Sequence, residues 1–146
     1  MKLRWAALIA VLAFSALMPS RAVGQSGSPP PGPIRRTGSL GQNFPNPFNP
    51  DTRFVFEVGD QSCFGTGERR RVTIRIYNLL AQAISVPQVE RGGQRIENIE
   101  LECGSYTAYW NGKYENTSRE AASSVYIYRL VENGVVKATK RMFLGK

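Results

Sequence analysis

Few side chains in this sequence could do covalent chemistry, and they are widely spaced. The 146 residues include no histidine. That removes Ser–His and Cys–His nucleophile pairs and every histidine-ligated metal. Cys63 and Cys103 are the only thiols. Two thiols alone make a poor metal site, because structural zinc takes four ligands. If joined to each other they have one connectivity and close a loop of about 40 residues, worth roughly 4 kcal/mol in chain-entropy terms. The acids Asp51, Glu57, Asp60 and Glu68 occur singly. The closest group, Glu97, Glu100 and Glu102, reads as a solvated strand face. Gly65 and Gly67 flank Thr66 with no helix after them, so they are loop glycines and not a phosphate cradle. No catalytic, cofactor-binding or metal-binding residues are expected, and the chain is not expected to be an enzyme. Asn116-Thr117-Ser118 matches a glycosylation sequon, which matters only in a host that glycosylates exported proteins.

The elements that must position these residues are strands. In Thr52–Val58, Phe54, Phe56 and Val58 recur with a period of two, the mark of a half-buried strand. A second strand over 71–77 turns Val72, Ile74 and Ile76 inward and is rich in β-branched residues. A weak third is expected over 82–87 and a fourth over 94–101. In the fourth, Ile96 and Ile99 differ in parity, which predicts a bulge or register change. Residues 105–110 place Tyr106, Ala108 and Trp110 on one face. Residues 124–131 form a strong strand with Val125 and Ile127 on one face and Tyr126, Tyr128 and Leu130 on the other. Asn133-Gly134 signals a tight hairpin into a last strand, Val135–Leu144. About seven short strands with no helical period predict an all-β, immunoglobulin-like sandwich of antiparallel strands. Its expected core is Phe54, Phe56, Val72, Ile74, Ile76, Ile99, Leu101, Tyr106, Trp110, Ile127 and Leu130. Tyr126 and Tyr128 are expected to pack and not to form a binding platform.

Residues 1–24 have the layout of a secretory signal peptide. Lys2 and Arg4 precede an apolar run from Trp5 to Met18, and Ala22-Val23-Gly24 supplies a cleavage site. The run is too short for a membrane span of roughly 20 residues. No stable span is therefore expected after cleavage. Residues 25–40 are rich in Gly, Ser and Pro and read as a disordered linker. The domain is expected over 41–146. It opens on Asn43-Phe44-Pro45-Asn46-Pro47-Phe48-Asn49-Pro50, where each proline removes a donor and restricts its predecessor to extended backbone. This is a stiff lead-in with two aromatic anchors. Phe44 and Phe48 are expected to plug the open end of the sandwich. An exposed aromatic contact for a receptor is the functional alternative.

Removing Lys2, Arg4 and Arg21 from the 19 basic residues leaves 16 against 11 acidic, a net charge of +5. The cations are spread along the chain apart from Arg69-Arg70-Arg71 and the stretch 137–141. A nucleic-acid binder would cluster them on one face with aromatics between, so no nucleic-acid partner is expected.

With the strands placed, the sequence resembles the FlgD-type immunoglobulin-like domains, which also serve as C-terminal sorting domains of the type IX secretion system. The resemblance begins at Asn43-Phe44-Pro45-Asn46-Pro47-Phe48-Asn49-Pro50-Asp51-Thr52. It continues through Val72-Thr73-Ile74-Arg75-Ile76-Tyr77-Asn78-Leu79-Leu80, then Gly104-Ser105-Tyr106 with Tyr109-Trp110-Asn111-Gly112. It ends with Ser124-Val125-Tyr126-Ile127-Tyr128-Arg129-Leu130 and the basic, apolar Thr139-Lys140-Arg141-Met142-Phe143-Leu144. Ala81 and Ser124 stand where such domains usually have glycine, and the cysteines are additional to the pattern. The resemblance implies a non-enzymatic module exported to the periplasm, outer surface or exterior. It also implies partners among secretion or cell-surface machinery proteins and attachment to a surface glycan or lipopolysaccharide. Phe44 to Pro50, Lys140 and Arg141 are the interaction residues it suggests. The two cysteines, extra to that pattern, suggest a Cys63–Cys103 disulfide that ties the first strand's exit loop to the approach of the Trp110 strand. The alternative is a free-standing extracellular or envelope structural or adhesion module with a protein or glycan partner.

Overall fold

The computed structural model describes residues 39–146; the expected signal peptide and most of the linker lie outside them. The described residues form eight strands: β1 (Thr52–Val58), β2 (Arg69–Tyr77), β3 (Ala83–Ser85), β4 (Gln88–Val89), β5 (Ile99–Glu102), β6 (Gly104–Trp110), β7 (Ser124–Glu132) and β8 (Val135–Leu144). They build two antiparallel sheets. One has the order β1-β6-β4. The other runs β3-β2-β7-β8, with β5 also against β2. No helix forms among the described residues.

The two sheets bury their facing sides against each other. Alternation along β1 sends Thr52, Phe54, Phe56 and Val58 inward, and β2 contributes Val72, Ile74 and Ile76. Rings cross the interface: Phe54 meets Tyr128 at 4.5 Å and Trp110 meets Tyr126 edge-on at 5.5 Å. Such tilted pairs add to the area term that holds the layers together. The Asn133-Gly134 turn has positive φ at both residues, 49° and 79°, as a tight hairpin requires.

Several expectations need correction. Ile127 is half-buried on the outer face of β7; the inward face is Tyr126, Tyr128, Leu130 and Glu132. Ile99, Leu101 and Tyr106 lie only partly buried at the core's margin. The third strand is short and is followed by β4 in the opposite sheet. The fourth shrinks to Ile99–Glu102 because Asn98 adopts φ 50°, which breaks the ladder before it. Ile96 still reaches the core, fully buried, through single bonds to Ile74 and Pro87 (2.8 and 2.9 Å). Ser39 and Leu40, assigned to the linker by composition, belong to the folded unit. Leu40 is buried, and Glu57 N–H donates to the Ser39 carbonyl at 2.8 Å.

Candidate functional site

The proline-rich lead-in is a seam between the free edges of both sheets. Its first part runs antiparallel to β1. Gly41 N–H donates to Val55 O at 2.7 Å, and Phe44 and Arg53 exchange bonds of 2.7 and 3.0 Å. Its second part turns to the outer edge of β8. Phe48 N–H donates to Phe143 O at 2.9 Å, Gly145 N–H returns to Phe48 O at 3.0 Å, and Asn46 Oδ1 accepts from Phe143 N–H at 3.0 Å. Gln42 reaches Arg141 O at 2.8 Å. Exposed edges invite pairing with other chains; here one segment covers part of two. The Phe44–Pro45, Asn46–Pro47 and Asn49–Pro50 bonds are cis.

The polar residues of the seam fold it upon itself. Asn43 is buried and donates to Pro45 O at 2.9 Å and to Thr52 Oγ1 at 3.1 Å, while Gln42 donates to Asn43 Oδ1 at 2.7 Å. Tyr128 hydroxyl, from the opposite sheet, donates to Gly41 O at 2.7 Å. Burial pushes the Tyr128 phenol up to about 12, against a lowering effect from the Asn43 backbone. Beyond Pro50 the Asn111-Gly112 turn presses in. Gly112 has φ +72°, and a Cβ there would collide with the Pro50 carbonyl.

The two phenylalanines have opposite fates. Phe48 is 1 % exposed and packs on Trp110 at 5.4 Å, so it is the plug that the sequence suggests. Phe44 is not a plug: it is 81 % exposed. Its backbone is fixed by the pair of bonds to Arg53, and its ring borders a groove of about 320 Å³ with Gln42, Pro45, Arg53, Val55 and Thr107. Pro45, Asn46, Pro47, Asn49 and Pro50 are all exposed along the seam.

Cys63 and Cys103 form a disulfide with Cα atoms 5.7 Å apart. It ties the loop after β1 to the start of β6, on the side away from Phe48. A side chain on Gly59, at φ +73°, would strike both sulfurs. Gly59 N–H instead donates to buried Glu132 Oε2 at 3.0 Å, a partner that nothing in the sequence signalled. Among the described residues the one group of three metal-ligand types is Cys63, Glu68 and Cys103; its two sulfurs are bonded to each other and hold no metal in this state.

Charge is distributed unevenly. Arg69, Arg71 and Arg75 on β2 pair with Glu102, Glu100 and Glu97, as the solvated-face reading of those acids suggests. The hydrogen bond from Arg75 holds Glu97 below the usual carboxylate range, against the opposing effect of desolvation, and Arg95 adds to the lowering. Lys140 is half-buried and Arg141 exposed on β8; neither has an ion pair among the described residues. The structure does not bring them together with the Phe44 ring: Arg141 meets the seam only through its backbone carbonyl. A polar cleft of about 380 Å³ lies elsewhere, lined by Arg95, Tyr109, Lys113, Tyr114, Glu115 and Asn116. Among the described residues no helix is long and apolar enough to cross a membrane. Comparison with protein-family models, curated proteins and solved structures finds no match.

Proposed function

We propose that this chain is an exported, non-enzymatic module that works by binding, in the manner of a type IX sorting or surface-attachment domain. The observation that carries the reading is the division of labour within Asn43 to Pro50. Phe48 and Asn43 serve the fold, whereas Phe44 is held out to solvent on a backbone fixed by two ladder bonds. A large apolar side chain placed on a rigid scaffold and left uncovered is the raw material of a contact site. The disulfide fits an oxidising compartment, as export requires. The partner on this reading is a protein of the secretion or cell-surface machinery.

The test is a fusion. Residues 25–146 are placed behind an exported reporter in a host with type IX machinery. The expected outcome is reporter at the cell surface or in the medium, and its loss with Phe44→Ala. Reporter retained in the periplasm refutes the sorting role. A second reading, a free-standing envelope or adhesion module, is favoured by the polar cleft, whose tyrosines, amide and cations suit a glycan. An intact C-terminus at Lys146 in secreted material supports it; a processed one supports sorting.

A further inference from the structure

We infer that the outer face of the β2–β7–β8 sheet is a second docking surface, and that its occupant is an acidic, partly apolar segment of a partner protein. The outward side of an antiparallel sheet is ordinarily polar. Here the register sets Tyr77, Ile127 and Arg141 in one row and Val125 opposite Phe143 in the next. Phe143 is 47 % exposed, while Tyr77, Val125 and Ile127 are half-buried. Arg129, in the row on the other side of Ile127 and opposite Arg75 and Thr139, holds its guanidinium 5.2 Å from the Tyr77 ring centre.

On the β7 and β8 side of this apolar centre the exposed charge has one sign. Arg129 and Arg141 on this face, and Lys137 at the β7–β8 register shift, make no ion pair among the described residues; Lys140, opposite inward-facing Tyr128, belongs to the other face. From Ser124 to Leu144 the single acid is Glu132, which is buried and bonded to Gly59. The neighbouring β2 arginines, by contrast, each have a glutamate. The Nε atom of Arg129 is buried without a hydrogen-bond partner. An apolar centre with aromatic and arginine neighbours is the anatomy of a protein interface. A stacked sugar is disfavoured because Arg129 already covers the Tyr77 ring. Carboxylates flanking an aliphatic or aromatic side chain would meet the arginine forks while the apolar group covered Ile127.

This deepens the reading of a binding module, and its test needs no secretion, so the two can fail separately. A random peptide display library is panned against the purified protein, and the selected peptides are titrated into it with backbone amide NMR detection. The expected consensus has acidic residues beside an aliphatic or aromatic one. Shift changes are expected at Ile127, Arg129, Thr139 and Arg141, and affinity should weaken with added salt. Arg129→Gln with Arg141→Gln should lower affinity at least about tenfold while amide dispersion elsewhere is kept. Selection of peptides without acids, or shifts confined to the Phe44 groove, overturns the proposal. So does tighter binding of heparin or duplex DNA than of any selected peptide, which makes the face a general polyanion site. A double variant that binds as the parent does also overturns it.

Discussion

Replacing Phe48 with alanine should destabilise the folded unit far more than replacing Phe44, although the two share one type and lie four residues apart in the same stretch. The Phe48 ring is 1 % exposed and sits 5.4 Å from the Trp110 ring. Truncation forfeits its transfer free energy and leaves a cavity between the sheet edges, a loss of about 3–5 kcal/mol. The backbone bonds of residue 48 to Phe143 and Gly145 remain available, so the loss reports the plug and not the seam. Against a total of about 5–15 kcal/mol for an ordinary domain, that is a large share. Phe44 is 81 % exposed, and its truncation should change stability by less than about 0.5 kcal/mol. Urea unfolding followed by tryptophan fluorescence measures both, since Trp110 touches Phe48. Phe48→Leu should recover most of the loss. Equal losses for the two alanine variants, or less than about 1 kcal/mol for Phe48→Ala, would refute the assignment of plug and contact.

Reduction, or Cys63→Ser with Cys103→Ser, should cost about 4 kcal/mol, since the bond closes a separation of 40 residues; an unchanged urea midpoint would show that the bond constrains nothing. Tyr128 gives a pH signature. Its folded value of about 12 lies above the ordinary 10, so the fold favours the protonated phenol. That contribution is complete below pH 10 and is lost as pH climbs through 12. Tyr128→Phe should flatten this alkaline fall in melting temperature. The flattening is partial, because burial also raises Tyr126 and Tyr106; an unaltered profile contradicts the assignment. Gly112→Ala should destabilise by more than Gly134→Ala. Both need positive φ, but only at Gly112 does a new Cβ meet backbone; denaturant midpoints compare them.

Much of the fold is legible because period-two patterning is strong in β1 and β2, and inward-facing Phe54, Phe56, Ile74 and Ile76 follow from it. The failures share a cause. Ile127 and Tyr128 are both apolar enough to be core, and only the pairing of β7 with β2 and β8 decides which points inward. Asn98 looks like an ordinary strand residue, yet its positive φ splits the fourth strand and sends Ile96 to the core on its own. Phe44 and Phe48 could not be told apart, because proline-rich backbone has no periodicity from which to read a face. The Glu132–Gly59 bond joins residues 73 apart, and no local pattern carries such a contact. The cysteine pairing was within reach because two thiols leave one choice.

The seam also has a mechanical consequence. Ser39 pairs with Glu57 at the disulfide end of β1, whereas Gly145 pairs with Phe48 at the Trp110 end. The chain therefore comes into the sandwich at one end and leaves it at the other, and tension between those points runs along the strands. The bonds of Ser39, Gly41 and Phe44 to β1, and the ladder between β7 and β8, lie across that direction. They are loaded together in shear and do not peel apart one by one. A unit tethered at one terminus and pulled at the other is thus held in the orientation in which its sheets resist best.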